Sequence, residues 1–321
     1  MIMKKIFKGS LLAMVCVLAL GVLMACDDND GAFPSRSVSI FVPFSAGGGT
    51  DLVARGMAAA ADDSFPSGIV VENRTGAGGA VGITAGATAT ADGYTLTTLT
   101  VESVTLPHMG GVEFTADSFI PIIMLNEAHS VISVHVDSEF QTLDDLINST
   151  SPVLVGNSGV GAIWHLAAAA FADASGANFE HVPFEGATDA ITGLLGQHID
   201  AVTVSFPEVS AQVEAGTIRV LAVLGPERID EIADVPTATE LGFDVVVSAW
   251  RGMGVPAGTP QEIVDELYAI FSEAALGEYF TNFMSNNNLS VDIMNPQEFG
   301  VRMAQDDALF GELIRNLGLA D

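Results

Sequence analysis

The sequence predicts an α/β fold with two lobes, two crossover segments between them and a cleft where the lobes meet. Short β-branched runs alternate with helical segments, glycine-rich turns follow two of these runs, and two long β-like runs stand at residues 119–136 and 245–255. Alternating strands and helices favour parallel sheets, and two crossings make the first lobe discontinuous. We expect residues 34–128 plus 248–321 in the first lobe and 129–247 in the second.

The first lobe is predicted from a strand, helix, strand, helix, strand pattern, which implies parallel pairing. Its strands are expected at residues 38–42, 68–71 and 94–100, and its helices at 51–61 and 75–91. Three C-terminal helices are expected at residues 261–274, 278–285 and 296–314. Thr259 and Pro260 fit the N-cap and N1 positions of the first of these three helices.

The second lobe shows the same alternation. Strands are expected at residues 153–156, 179–183, 201–204 and 219–224, and helices at 142–147, 162–174, 187–195 and 207–214. Thr142 suits the N-cap of the first helix because acidic residues follow it in the first turn.

A glycine-rich turn follows the first strand, at residues 43–49, and leads into a helix that carries Thr50 and Asp51. Glycines leave backbone N–H groups uncovered, and the helix that follows directs its positive dipole end at the turn, so the pattern predicts an anion site. It lacks both the lysine of a nucleotide P-loop and the G-x-G-x-x-G spacing. A small carboxylate therefore fits better than a phosphate, and residues 157–161 repeat the device.

The charge balance excludes some partners. The chain has 321 residues, and its eight arginines all follow residue 26, as do all 40 acidic residues. Nucleic acid and anionic lipid are poor partners for such an acidic surface. After residue 26 the chain has no lysine, and such an acid-rich exterior suggests a halophilic habitat. On that hypothesis the midpoint of unfolding rises when added salt screens the repulsion between the acidic side chains.

The N-terminus has the form of an export signal. Lys4, Lys5 and Lys8 precede an apolar run at residues 11–23, and the sequence LMAC at 23–26 resembles a bacterial lipobox. We expect a signal peptide at residues 1–26, lipidation of Cys26 as a membrane tether and a flexible linker at 27–33. An ordinary cleaved signal with an incidental cysteine is the alternative. Cys16 leaves with the signal in either case, so no disulfide is expected.

Seven motifs occur in the order found in one protein family. They are VPFSAGGGTD (42–51), VENRTGAGG (71–79), DGYTL (92–96), SGVG (158–161), HVPFEG (181–186), DVPT (234–237) and PAGTP (256–260). From about residue 34 to its end the chain thereby resembles the extracytoplasmic solute-binding proteins of tripartite tricarboxylate transporters, the Bug and TctC-like receptors. The resemblance implies a periplasmic-binding-protein type II-like fold, a hinge-closing monomer, and delivery of a small organic acid to one large and one small permease subunit.

The resemblance also implies a set of ligand contacts made by backbone N–H groups, hydroxyls and waters. The first lip of the cleft would contribute Phe44, Ala46, Gly49, Thr50 and Asp51, and the second Ser158, Gly159, Val160, Gly161, Ala162 and Phe184. Thr100 and Ser103 are further candidates. Arg251 either pairs with a distal carboxylate of the ligand or stabilises the hinge.

Two departures from the family pattern bear on the ligand. Phe184-Glu185 replaces the commoner Tyr-Lys, and Glu102 stands where small neutral residues are usual. Both changes add negative charge or remove positive charge. Compared with the family, this chain is therefore expected to favour mono- or dicarboxylates over tricarboxylates.

Catalysis is not expected. The sequence shows no triad, no G-x-S-x-G turn and no cofactor fingerprint, and His129, His135 and His165 have no partners at metal-ligand spacing, so neither cofactor nor metal is assigned. Asp51 fits the start of a helix better than a general base. An exported enzyme acting on carboxylic acids and a surface sensor with a signalling partner stay open as alternatives.

Overall fold

The computed structural model describes residues 33–320, in which nine strands join into one mixed sheet. The strands are β1 (Val38–Val42), β2 (Ile69–Asn73), β3 (Thr95–Thr100), β4 (Phe119–His135), β5 (Val153–Asn157), β6 (Phe179–Pro183), β7 (Ala201–Ser205), β8 (Ile218–Leu224) and β9 (Ser248–Pro256). Their order is β2-β1-β3-β9-β4-β7-β5-β6, and β8 pairs with β4. All nine lie in the compact unit that begins at Arg36.

The α-helices of the described residues follow the strands along the chain. They are α1 (Gly49–Ala60), α2 (Ala80–Ala87), α3 (Glu102–Met109), α4 (Leu143–Ile147), α5 (Ile163–Ser175), α6 (Ala187–Leu195), α7 (Phe206–Glu214), α8 (Gln261–Leu276), α9 (Glu278–Asn286) and α10 (Pro296–Asn316).

The sheet contains two parallel sets of strands. In the first, β1 pairs in parallel with β2 and β3. In the second, β5 pairs in parallel with β6 and β7. Each step from one parallel strand to the next passes through a helix, as parallel connections require. The mixed α/β fold and the parallel pairing predicted from the sequence are confirmed.

The two long β-like runs form neighbouring strands. β4 has 17 residues and pairs antiparallel with β9 from Phe119 to His129. Beyond that point, from Ser130 onward, β4 pairs with β7 and β8 instead. One strand therefore belongs to both sets, and β9 lies beside it.

One cluster of buried apolar residues extends from β3 through β9 and β4 to the second parallel set. All five residues of β7 are buried, and the fully buried Phe171 of α5 packs against Phe179 and Phe243 with ring centroids 6.0 and 5.4 Å apart. Trp250 and Phe299 meet edge to face at 5.0 Å and are also fully buried. Such aromatic contacts bury large apolar areas and fix how helices sit on the sheet.

Two local predictions need correction, and helix α3, which contains Pro107, was not predicted. Residues 75–91 are not one helical segment: Gly76, Gly78 and Gly79 have positive φ, so α2 begins only at Ala80. Thr259 does not cap α8, because its hydroxyl donates to the Pro256 carbonyl at 2.8 Å and Pro260 is the N-cap residue.

The cap predicted at Thr142 is confirmed. Its hydroxyl accepts from the Asp145 N–H at 3.2 Å, and the Asp145 carboxylate accepts from the Thr142 N–H at 2.8 Å. This reciprocal pair is a capping box, which satisfies two N–H groups at the start of α4.

Three predictions on the N-terminus lie outside the described residues, which begin at Phe33. They are the signal peptide at 1–26, lipidation of Cys26 and nearly all of the linker at 27–33. Among residues 33–320, no helix has both the length and the apolar character that crossing a membrane requires.

Candidate functional site

A small cavity lies at the carboxyl ends of strands from both parallel sets. Just past the carboxyl ends of β1, β3, β5 and β7, the chain contributes Gly49, Glu102, Ser158 and Glu208 to its lining. In α/β sheets, ligands bind at this end of the strands. The full lining is Phe44, Ser45, Gly48, Gly49, Thr50, Thr100, Glu102, Ser158, Ile163, Trp164, Ala187, Glu208, Ala249, Trp250 and Arg251. About 20 Å³ is open to the centre of a water molecule, which leaves room for about one water.

The first glycine turn directs a backbone donor across the cavity. Gly47 has a φ of +82°, which favours glycine, and Gly48 is the N-cap of α1. The Gly49 N–H then donates to Oε1 of Glu208 at 3.1 Å. A side chain at Gly49 would force the guanidinium of Arg251 to shift, because its Cβ would lie 2.7 Å from Nη2 of Arg251.

Arg251 supplies a buried cation from β9. Its Nη1 donates to Oδ1 of Asn126 at 2.8 Å, its Nε to Oγ1 of Thr50 at 3.3 Å, and its Nη2 lies 3.5 Å from Oε1 of Glu208. The side chain is 2% exposed. Burial lowers the pKa of the guanidinium, while Glu208 and Glu102 oppose this, and arginine remains protonated in proteins.

Glu208 bridges the first turn of α7 and the first turn of α1. Its Oε2 accepts from the Ser205 N–H at 2.9 Å and from the Ser205 hydroxyl at 2.7 Å, which completes a capping box. Its Oε1 faces Gly49 and Arg251. One carboxylate thus caps its own helix and meets the donors of the glycine turn.

Glu102 is a second carboxyl group in the lining. It is 1% exposed, its Oε1 accepts from the Ile163 N–H at 2.7 Å, and its Oε2 has no hydrogen-bond partner among the described residues. Burial raises the pKa of this carboxyl, although the Ile163 N–H opposes the rise. A buried, half-satisfied carboxyl is favourable in its protonated form.

Two N–H groups of the second glycine turn are already hydrogen-bonded to side chains close in sequence. The Gly159 N–H donates to Oδ1 of Asn157 at 3.1 Å, and the Gly161 N–H to Nδ1 of His165 at 3.1 Å. Burial lowers the pKa of His165 to about 4, so its ring is neutral at pH 7 and can accept. From this turn the cavity receives the hydroxyl of Ser158, whose Oγ has no partner among residues 33–320.

Six of the ligand contacts proposed from the sequence come together in the lining of the cavity. They are Phe44, Gly49, Thr50, Thr100, Ser158 and Arg251.

The other eight candidates lie elsewhere. Ala46 is exposed, and the Ser103 hydroxyl donates to the Thr100 carbonyl at 2.7 Å. Gly161 and Ala162 form hydrogen bonds within their own turn, the latter to the Gly159 carbonyl. A separate surface groove is lined by the remaining turn residues and by the loop after β6, namely Gly159, Val160 and Phe184.

The carboxylate of Asp51 forms hydrogen bonds with groups around the first glycine turn. It accepts from the Gly47 N–H at 2.9 Å, from Nε of Arg55 at 2.9 Å and from Nδ2 of Asn73 at 2.8 Å. Burial alone would raise the pKa of Asp51, but these hydrogen bonds together lower it. The side chain therefore fastens the glycine turn from behind, which agrees with a role at the start of a helix.

Glu208 is the lining residue that matters most among those the sequence reasoning missed. The sequence of residues 205–208 carries a usable signal, because Ser-x-x-Glu after a β-branched run is the pattern of a capping box. Trp164 and Trp250 were also missed, since single aromatics in apolar runs are indistinguishable from core residues. Within the described residues no three His, Cys, Asp or Glu side chains are placed to hold a metal ion.

Comparison with known proteins identifies the family. A model described as the tripartite tricarboxylate transporter family receptor matches residues 53–319. A TctC solute-binding protein from Polaromonas, solved without ligand, is 37% identical, with coverage of 88% of this chain and 99% of that chain and a TM-score of 0.65.

Two further solved structures superpose more closely. The periplasmic binding protein BugD is 29% identical, with 90% and 99% of the two chains covered and a TM-score of 0.85. An R. palustris protein solved with adipate is 26% identical, with the same coverage and a TM-score of 0.84. The TctC and BugD relatives are binding proteins, not enzymes. Since the family model spans most of its length, the chain belongs to the receptors of the tripartite tricarboxylate transporter family, which are extracytoplasmic solute-binding proteins.

Proposed function

We propose that this receptor captures a small mono- or dicarboxylate in the cavity beside Arg251 and delivers it to the large and small membrane subunits of its transporter. The observation that carries the proposal is the buried guanidinium of Arg251 next to the first N–H groups of α1. A cation and a helix N-terminus together favour a carboxylate. The R. palustris relative solved with adipate supports a dicarboxylate.

The charges of the lining favour a ligand of low charge. Two carboxyl groups, Glu102 and Glu208, share the cavity with the single guanidinium of Arg251. Each further negative charge on a ligand would meet like charge at low dielectric. The exposed Glu185 lies in the surface groove, and burial favours the protonated, uncharged form of Glu102, so the preference for a ligand of low charge rests on the Glu208 carboxylate.

We further propose that the site opens and closes between two lobes, residues 34–128 plus 248–321 and residues 129–247. Three hydrogen bonds cross between these segments: Gly49 to Glu208, Ile163 to Glu102 and Ser45 to Asp189. Two of them, at Glu208 and Glu102, line the cavity together with residues of β9, and we infer that the paired strands β4 and β9 form the hinge. The Polaromonas relative supports this, because it has the highest identity of the three structures yet the lowest TM-score, as differing lobe angles would produce.

A tether through lipidated Cys26 would keep the receptor near its permease, and we propose it on the lipobox-like sequence alone. Mass spectrometry of the exported protein would test it. A diacylated N-terminal Cys26 is expected, and an unmodified N-terminus at another residue would contradict the tether.

Calorimetric titration with acetate, succinate, adipate and citrate tests the ligand class. We expect heat and a raised melting temperature with a mono- or dicarboxylate, weaker effects with citrate, and loss of both in Arg251→Met. The matched control is Arg55→Met, which removes an arginine near the same turn but outside the lining. If no carboxylate gives heat or raises the melting temperature of the wild type, the proposed function is wrong.

A further inference from the structure

Glu208 occupies the position where the sequence predicts a ligand carboxylate. Its Oε1 receives the Gly49 N–H at 3.1 Å and lies 3.5 Å from Nη2 of Arg251. Its side chain is 6% exposed, so water does not compete effectively for these contacts. The first glycine turn is therefore an anion receptor that already holds an anion of the same chain.

A solute carboxylate and Glu208 cannot use these donors together. Two ionised carboxylates at the same N–H would repel each other strongly in a buried site. The remaining space, room for about one water, is also too small for a carboxylate group beside Glu208.

Displacement of Glu208 is feasible because half of its carboxylate has other partners. Oε2 keeps the Ser205 N–H at 2.9 Å and the Ser205 hydroxyl at 2.7 Å, and neither contact involves Gly49 or Arg251. A rotation that withdraws Oε1 would thus leave the capping box of α7 in place.

We propose that Glu208 is an internal carboxylate that occupies the first glycine turn and that a solute carboxylate must displace to bind. This inference rests on the proposed function and adds a residue that sets its affinity. Glu208 lowers the affinity for every carboxylate by competing for Gly49 and Arg251. Its hydrogen bond from the Gly49 N–H also joins α7 to α1 and so holds the two lobes together.

The ligand-free protein provides the first test, by NMR of the Gly49 amide. A carboxylate acceptor moves an amide proton downfield, so Glu208→Ala is expected to move the Gly49 resonance upfield, and Glu208→Gln to move it less. Glu214→Ala is the matched control, since Glu214 is an exposed carboxylate at the other end of α7 and is outside the lining. An unchanged Gly49 amide in Glu208→Ala would overturn the proposal.

Affinity provides the second test, with acetate, succinate and adipate as the probes. Glu208→Gln, which retains an oxygen acceptor for the cap of α7, is expected to bind these carboxylates about tenfold more tightly or better, the factor that one charge-assisted hydrogen bond represents. Glu214→Gln is expected to match the wild type. Unchanged or weaker binding in Glu208→Gln would overturn the proposal, and weaker binding would mean that Glu208 contacts the ligand directly.

The two proposals can fail separately. A shifted Gly49 amide together with no carboxylate binding, by the wild type or by any Glu208 variant, would overturn the proposed function and leave the internal contact of Glu208 established. Carboxylate binding with an unchanged Gly49 amide would overturn the internal carboxylate alone.

Discussion

The two glycine-rich turns, residues 43–49 and 157–161, follow buried strands and precede helices, yet they present different groups to the cavity. The first directs the Gly49 N–H outward to a carboxylate. In the second turn, the Gly159 and Gly161 N–H groups donate to Asn157 and His165, and the Ser158 hydroxyl faces the cavity. The difference arises from neighbouring acceptors, because Asn157 and neutral His165 are close enough to take the N–H groups of the second turn.

The largest expected effect on stability concerns Arg251, the buried cation beside the first turn. Arg251→Met would leave Glu208 buried without its counter-charge, so we expect a loss of about 3–5 kcal/mol in the free energy of unfolding. Arg36→Met, in an ion pair whose two side chains are 60% and 37% exposed, should cost about 1 kcal/mol or less. Urea unfolding of both variants measures the contrast, and equal losses would show that Arg251 does not stabilise this site.

A side chain at Gly49 should remove ligand binding with the fold retained. In Gly49→Val the Cβ would lie 2.7 Å from Nη2 of Arg251 and 3.2 Å from Oε1 of Glu208, both ends of side chains that can move away. We expect carboxylate affinity to fall by about 10- to 100-fold as charge-assisted hydrogen bonds are lost. Calorimetry measures affinity and circular dichroism checks the fold. Unchanged affinity would place the ligand away from the first turn.

Glu102 predicts a pH effect with a definite sign. Its pKa is raised in the folded protein above the usual 4.5, so the folded state binds more protons than the unfolded state above pH 4.5. Glu102 therefore makes stability fall as pH rises through the window between the two pKa values. The stability advantage of Glu102→Gln over the wild type should be smallest below pH 4.5 and grow with pH.

Urea unfolding at about pH 4, 6 and 8 measures this difference. Glu185→Gln, at an exposed residue outside the cavity, is the control for the loss of one carboxyl group. A pH-independent difference for Glu102→Gln would mean that Glu102 is not held protonated by burial.

The second turn should give the smallest effect. Ser158→Ala removes a hydroxyl that has no partner among the described residues, so stability should not fall. If that hydroxyl serves the ligand, carboxylate affinity should fall by about fivefold, as one neutral hydrogen bond represents. Calorimetry beside a melting curve separates the two effects. A loss of stability with unchanged affinity would show that the Ser158 hydroxyl stabilises the fold and does not bind the ligand.

Much of the fold could be predicted from the sequence because strands and helices carry local periodic signals. The parallel sets and the two long strands followed from such patterns. Helix α3 was not predicted, and a proline inside a helix, as at Pro107, runs against local propensity. The hydrogen bond from the Thr259 hydroxyl to a carbonyl three residues back was not predicted either. Local propensity does not reveal which of several nearby acceptors a side chain takes.

The site could be predicted only in part, for a related reason. Glycine spacing indicates where N–H groups are uncovered, but their partners come from distant segments. Glu208 lies 159 positions from Gly49 in the chain, and Asn126 lies 125 positions from Arg251. The proposed contacts at Gly159, Val160 and Phe184 lie in a separate groove, because a turn can satisfy its own amides.

An NMR titration of the wild-type protein with the carboxylate that binds in calorimetry tests the role of the first glycine turn most directly. We expect the Gly49 amide and the side-chain Nε–H of Arg251 to shift strongly at saturation. The Gly159 and Gly161 amides should shift less, because Asn157 and His165 already hold them. Large shifts at Gly159 and Gly161 with an unmoved Gly49 would contradict the central claim that the first glycine turn receives the ligand.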